Sequence, residues 1–363
     1  MRILILGGTG AMGVSLVQIL TRQGNEVYVT SRTKQSSQNA KLHYMHGNAH
    51  DMNFLKNSLT PLYDVIVDFM VYNEDEFRER IELLLASAKQ YVFLSSARVY
   101  AESIAPITEE NARLLDVSTD EEYLKTDEYA LSKARQENIL TESKYKNWTI
   151  IRPYITYSEE RLQLGVYEKE HWLYRALQGR KIVFSKDIAT KYTTLTYGKD
   201  VSLIMANLLG NEKVLGESVN ITVNQSIIWK DILNLYLDII EEKTHKRPDV
   251  FYLDDSYSIS KVLGCKYQIK YDRLYNRRFD SSKVNNICGD FVEYMPVIEG
   301  ARKCLSSFID NKLEFRTISW KFEAYMDKIT GEKTPLSEIP TVKERFKYII
   351  WRYTPYFSIM KMV

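Results

Sequence analysis

Cysteine is scarce in this chain: Cys265, Cys288 and Cys304 are the only three in 363 residues. An odd count confined to the last third gives no disulfide framework and fits a reducing compartment with buried or inert thiols. Histidine is nearly as rare, with five residues. His43, His46 and His50 fall close together but have no acidic or thiolate cluster beside them, so no metal site is expected. Long apolar runs are missing too. None approaches the roughly 18 residues of a membrane span, and the apolar opening meets Gly7 too early for a signal-peptide core, so a cytoplasmic protein is expected. Nor is there a charge surplus: 49 basic residues balance 47 acidic ones. A net charge of +2 creates no field that would gather nucleic acid or an acidic polymer. Internal repeats and low-complexity linkers are absent.

What is present is apolar substance, 45% of the residues, enough for a sizeable core. Short apolar runs at residues 3–6, 26–30, 65–68, 91–94 and 149–151 read as strands, and 12–23, 75–88 and 126–142 read as helices. This alternation predicts a parallel sheet covered on both faces over residues 1–155. After Pro153 the rhythm becomes richer in tyrosine and charge, with helices expected at 168–179 and 229–242. Residues 156–310 are expected to form a smaller lobe, with 219–222 returning a strand to the sheet. A separate extension is expected over 311–363.

"RILILGGTGAMGVSLVQIL", residues 2–20, places Gly7, Gly10 and Gly13 in a G-x-x-G-x-x-G turn between a strand and a helix. Gly7, Thr9, Gly10, Ala11 and Met12 would let backbone approach a pyrophosphate, while Gly13 would let helix and strand pack closely. The next strand ends in Thr30-Ser31-Arg32, where an NAD site usually carries a carboxylate. A hydroxyl and a guanidinium there suit the 2′-phosphate of NADP, in preference to NAD.

Two further stretches add chemistry. "YVFLSSARVY" sets Ser95 and Ser96 at the end of a strand, where open α/β sheets build sites, although paired serines there also cap helices. "DEYALSKARQE" sets Tyr129 and Lys133 four apart on one helix face. Lowering a tyrosine from about 10 to neutrality requires about 4 kcal/mol. One ammonium at about 4 Å in a medium of dielectric near 20 supplies about that much. Tyr129 could then exchange a proton with a carbonyl or alcohol oxygen that Ser96 holds.

With these motifs the sequence resembles the extended short-chain dehydrogenase/reductases, the NAD-dependent epimerase/dehydratase family. The match runs over roughly residues 1–310, through "GGTGAMG", "GNAHD", "SSARVYA", "YALSK", "IIRPYITYS", "LTYGKDV" and residues 279–309. The resemblance implies a Rossmann-type doubly wound α/β fold with a smaller α/β substrate lobe. It implies catalysis by Ser96, Tyr129 and Lys133, with Lys133 also holding the nicotinamide ribose. It places Asn48, Ala49, Phe69, Met70 and Pro153 at the cofactor, and implies a nucleotide-sugar substrate and a homodimer. Ala101 and Asn48 depart from the family's usual glycine and aspartate, and the asparagine common after Arg-Pro is missing. A dehydratase would carry Thr-Asp-Glu where Ser96-Ala97-Arg98 stands. The Thr-Ser-Arg ending resembles NADPH-using reductases of 4-keto-6-deoxy sugar nucleotides, such as those forming dTDP-fucose from dTDP-4-dehydro-6-deoxyglucose for surface polysaccharides, including the O-antigen of lipopolysaccharide. The alternatives are a sugar-nucleotide 4-epimerase that retains NAD(P), or a non-catalytic NADP-sensing or RNA-binding protein on the same fold.

For substrate, Arg98, Tyr157 and Lys191 are the expected contacts. Arg161, Arg180, Lys181, Tyr167, Trp172 and Tyr192 add cations and flat groups, unless they form an amphipathic helix and its core. In the tail, residues 341–363, a helix is expected to bury Phe346, Ile349, Ile350 and Tyr353 against its own domain and to end at Pro355. Contact with a membrane surface, rated second, and packing against a partner subunit are the alternatives.

Overall fold

The computed structural model describes residues 1–8, 11–60, 62–289 and 293–354. The chain divides into two compact units: the first is Met1–Ser158, Thr194–Ser226 and Arg277–Val297, the second Glu159–Thr193, Ile227–Asn276 and the chain from Ile298 on.

The first unit is built on a seven-stranded, wholly parallel sheet. Its strands are β1 (Arg2–Leu6), β2 (Glu26–Ser31), β3 (Leu42–His46), β4 (Tyr63–Asp68), β5 (Ala88–Leu94), β6 (Trp148–Pro153) and β7 (Glu217–Ile221), in the order β7-β6-β5-β4-β1-β2-β3. This is a Rossmann-type doubly wound α/β fold. β1 lies inside the sheet, with Ile3 paired to Val27 on one side and Val65 on the other. Such a strand must be apolar on both faces, which is why it reads RILIL. Alternate residues then feed two cores. Ile3, Ile5, Val27, Val65 and Val67 pack with helix α1 (Ala11–Arg22), whereas Leu4, Leu6, Ile66, Tyr91 and Phe93 pack with helix α3 (Glu74–Ala86). Each such side chain contributes about 1.5–3 kcal/mol on burial.

Side-chain caps set where the helices begin. Asp51 accepts from the N–H groups of Asn53 and Phe54 (2.8 and 3.0 Å) to start α2 (Met52–Ser58). Asn73 accepts from Glu76 N–H at 2.8 Å to start α3, and Glu128 from Ala130 N–H at 2.8 Å to start α4 (Tyr129–Glu142). The expected helix from residue 126 therefore begins three residues later. The expected strand at 219–222 is β7, parallel to β6. Helix α5 (Gly198–Leu208) covers α1 in the same apolar cluster.

The second unit holds helices Lys169–Leu177, Trp229–Thr244, Trp320–Thr330 and Val342–Tyr353, and small two-stranded sheets. Residues beyond 310 pack within it: Arg175, fully buried, is bonded to Glu323 (2.8 Å), Asp327 (2.9 Å) and Glu332 (3.0 Å). The final helix turns over relative to expectation. Tyr348 is buried and Trp351 half-buried in a cluster with Tyr174 and Trp320, while Phe346, Ile349, Ile350 and Tyr353 are exposed. The Tyr348 hydroxyl donates to Asp327 at 2.7 Å, and Arg345 donates to the carbonyl of Ile339 at 2.9 Å, fixing that orientation. Pro355 lies outside the described residues. Among those described, no helix is long and apolar enough to cross a membrane.

Candidate active site

Strand order reverses between β1 and β4, and open α/β sheets leave a crevice at the carboxyl ends of such a pair. A cleft of about 260 Å³ opens there, lined by Gly7, Ser31, Arg32, Asn48, Ala49, Phe69 and Met70 among others. Gly7 takes φ +72°, the left-handed region that favours glycine, and donates its N–H to Thr30 Oγ1 at 3.1 Å. At Gly13 a Cβ would lie 2.6 Å from the Gly8 carbonyl, so the helix can start against the turn only with glycine there. Met12 is half-buried, its carbonyl accepting from Ser202 Oγ at 3.2 Å. Thr9, Gly10 and the side chain of Ala11 lie outside the described residues.

Ser31 is buried and donates to the carbonyl of Thr33 at 2.8 Å. Arg32 is exposed, and no carboxylate among the described residues pairs with it. Asn48 Oδ1 accepts from His50 N–H at 3.2 Å, which shapes the loop ahead of α2. A left-handed glycine turn, an unpaired guanidinium and a helix start at one crevice form a setting that fits a dinucleotide.

Ser96 follows β5. It is buried, and its Oγ accepts from Arg98 N–H at 3.2 Å, capping the short turn Ala97–Val99. Helix α4 packs on that turn. Tyr129, its first residue, is 38% exposed, whereas Lys133 one turn on is 3% exposed. The Arg98 guanidinium lies 5.3 Å from the centre of the Tyr129 ring and pairs with Glu128 at 2.5 Å. Lys133 Nζ sits 4.5 Å over the Phe93 ring and makes no hydrogen bond among the described residues. Burial lowers its pKa to about 8, against the opposing pull of Asp68 and Glu137. A buried ammonium with unused donors is costly, which fits a site whose ligand supplies the acceptors.

Two acids passed over in the sequence hold this arrangement. Asp68, at the end of β4, is fully buried. It accepts from Met70 N–H (2.9 Å) and the hydroxyls of Tyr91 (2.8 Å) and Tyr72 (3.4 Å), so one carboxylate ties the cleft wall to the field around Lys133. Desolvation raises its pKa. Glu137, one helical turn past Lys133, accepts from Ser95 Oγ (2.6 Å), Arg152 Nε (2.8 Å), Arg152 Nη2 (2.8 Å) and Arg113 Nη1 (3.2 Å). Arg152 in turn donates to the Tyr100 hydroxyl at 2.7 Å. Ser95 and the arginine of the Arg-Pro pair therefore belong to a buried brace, and Pro153 closes β6 beside it. The available signal was the i, i+4, i+8 spacing of Tyr129, Lys133 and Glu137.

The expected substrate contacts separate. Arg98 is beside Tyr129 but already paired. Tyr157 is buried with its ring 5.6 Å from that of Tyr197. Lys191 belongs to the second unit, where its carbonyl accepts from Trp229 N–H at 3.1 Å. In that unit Trp172 is buried and stacked on Tyr236 at 4.6 Å, Tyr167 is buried, and Arg180 pairs with Glu338 at 3.0 Å. These form core and braces, the second of the two readings open for that stretch.

The model of the NAD dependent epimerase/dehydratase family matches residues 3–222. The chain belongs to that family. Among curated proteins, it is 30% identical over 238 residues to the chloroplast stem-loop binding protein of 41 kDa b of Arabidopsis thaliana, covering 61% of this chain and 58% of that one. The match thus spans less than two thirds of its relative's length. Among solved structures, the UDP-glucuronic acid 4-epimerase of Bacillus cereus in complex with NAD has a TM-score of 0.64 at 15% identity, covering 86% of this chain and 100% of that one. The dTDP-glucose 4,6-dehydratase of Bacillus anthracis in complex with NAD has a TM-score of 0.64 at 16% identity, covering 86% and 97%. These likenesses extend the fold beyond the family match.

Proposed function

We propose that the protein is an oxidoreductase acting on a nucleotide sugar, with NADP as cofactor and a 4-keto-6-deoxy sugar nucleotide as substrate. Reduction of dTDP-4-dehydro-6-deoxyglucose to dTDP-fucose, a surface-polysaccharide precursor, is the favoured case. The observation that carries this reading is the exposed Tyr129 one turn from the buried Lys133, which makes no hydrogen bond among the described residues, in the same unit as a cleft fitted to a dinucleotide. The cofactor, when bound, supplies the hydride. Ser96 Oγ would hold the substrate carbonyl oxygen, and Tyr129 would give it the proton. Lys133, cationic below about pH 8, stabilises the tyrosinate left behind. The unpaired Arg32 supports NADP through its fit to a 2′-phosphate.

Purified protein with NADPH and a 4-keto-6-deoxy sugar nucleotide should consume cofactor and form product in equal amounts, the product being followed by NMR. Tyr129→Phe should lower kcat by about 10²–10⁴. Arg32→Ala should raise the KM for NADPH at least about tenfold and leave NADH nearly unchanged; equal losses would remove NADP from the reading. Turnover of a sugar nucleotide with no net change in cofactor would favour the 4-epimerase, a reading that the names of the family and of the Bacillus cereus enzyme support. The name of the Arabidopsis relative supports a second reading, recognition of a structured RNA on this fold. Submicromolar binding of a stem-loop by a chain inert with every keto sugar would favour it.

A further inference from the structure

The helix Val342–Tyr353 carries an apolar stripe that its own unit leaves uncovered. Val342, Phe346, Ile349, Ile350 and Tyr353 recur at i, i+4, i+7, i+8 and i+11 and so share one face. They are between 37% and 65% exposed. The opposite face is anchored by Tyr348 and Trp351, and Lys328 Nζ donates to the carbonyl of Thr354 at 2.9 Å, so the stripe is held outward. Basic side chains border it on both edges. By helical position Lys343 and Lys347, both exposed, lie along one edge, and Arg345 and Arg352 along the other, where they donate to the carbonyls of Ile339 (2.9 Å) and Glu332 (3.1 Å); the single acid, Glu344, falls on the side away from the stripe, 3.9 Å from Lys347 Nζ. Residues 355–363 continue the composition in sequence with Tyr356, Phe357, Ile359, Met360 and Met362, one lysine and no acid.

We propose that this face docks in the plane of a bilayer that carries anionic lipid. An apolar strip flanked on both sides by cations matches the chemistry of the headgroup boundary, with hydrocarbon below and phosphate or carboxylate beside it. Since no described helix can cross a membrane, the contact is peripheral. The inference itself stands whatever the substrate is, because none of its residues belongs to the cleft or to the Ser96, Tyr129 and Lys133 group.

The test is sedimentation of the full chain with phosphatidylcholine vesicles, with and without phosphatidylserine, at low and high salt. Binding is expected only with phosphatidylserine and should weaken as salt rises. The pair Lys343→Glu and Lys347→Glu should weaken it more than about tenfold. The pair Phe346→Glu and Ile350→Glu should abolish it while leaving the unfolding temperature and NADPH oxidation unchanged. Three results would overturn the proposal: no binding to phosphatidylserine vesicles, equal binding to both vesicle types, or a dimer in light scattering that the Phe346 and Ile350 pair disperses, which would assign the face to a second copy of the chain.

Discussion

Lys133 shows how one residue can serve chemistry at the expense of stability. Its ammonium is buried, has no hydrogen bond among the described residues, and has a pKa lowered to about 8 by desolvation. Below pH 8 both the folded and the unfolded chain hold this proton, and the folded chain bears the full burial cost. Between about 8 and 10.5 the unfolded chain binds more proton than the folded one, so stability rises with pH through that window. Lys133→Met removes the charge and keeps the volume. It should raise stability at pH 7 by about 1–3 kcal/mol, read by urea unfolding, while lowering kcat at least about a hundredfold. The gain should fade as the pH approaches 10. In the native protein, reduction should slow above about pH 8 as the lysine loses its charge. A destabilised Lys133→Met protein would mean that the lysine makes a favourable structural contact instead.

At the scale of elements, the sequence was legible where one pattern dominated. β1, α1, β2, α3 and β6 were readable because continuous apolar runs and 3.6-residue periodicity leave little choice, whereas α4 was placed although its buried face mixes Lys133, Gln136 and Glu137 with Ala130 and Leu131. β3, with the sequence LHYMH, was not: it is an edge strand whose side chains are only half-buried, so its pattern is weak. α2 escaped for the same lack of contrast, although Asp51 marks its start, whereas α5 buries Val201, Ile204, Met205 and Leu208 at helical spacing and so carried a pattern that could have been read. In the candidate site the positions with backbone or acid–base requirements could be read, whereas Asp68 and Glu137 could not. A buried carboxylate is recognisable only by the partners that satisfy it, and those of Glu137 come from the turn after β5, β6 and the loop at Arg113.

The strand–turn–helix element carries its own prediction. Gly13→Ala places a methyl 2.6 Å from backbone atoms of Gly8, which cannot swing aside as a flexible side chain would. The start of α1 must shift, costing about 1–3 kcal/mol in urea unfolding. Because the turn lines the cleft, the Kd for NADPH should rise at least about tenfold. Unchanged affinity would show that the pyrophosphate does not approach this turn.

At the scale of the whole molecule, the first unit is not a stretch of chain but three stretches, and the third is distant from the others in sequence. The buried Arg277 donates to the carbonyls of Tyr100 at 3.1 Å and Ala101 at 3.2 Å, immediately after the turn that Ser96 caps. Ile107 and Asp280 bond across the same junction, Ser281 Oγ reaches the carbonyl of Thr222, and Val284 enters the apolar cluster beneath β7. The family match ends at residue 222, before Arg277, Asp280, Ser281 and Val284. A chain ended at residue 226 would keep all seven strands and every proposed catalytic group, yet leave buried carbonyls without donors and an apolar face uncovered. It should therefore lack a cooperative urea transition and bind NADPH weakly, and adding a peptide of residues 277–297 should recover part of both. In the full chain, Arg277→Ala should cost about 2–4 kcal/mol and lower kcat more than it raises KM, since the segment it holds leads from Ser96 rather than from the cofactor cleft. If the shortened chain unfolds cooperatively and binds NADPH as tightly as the full chain, the third stretch merely decorates a unit that the first two complete.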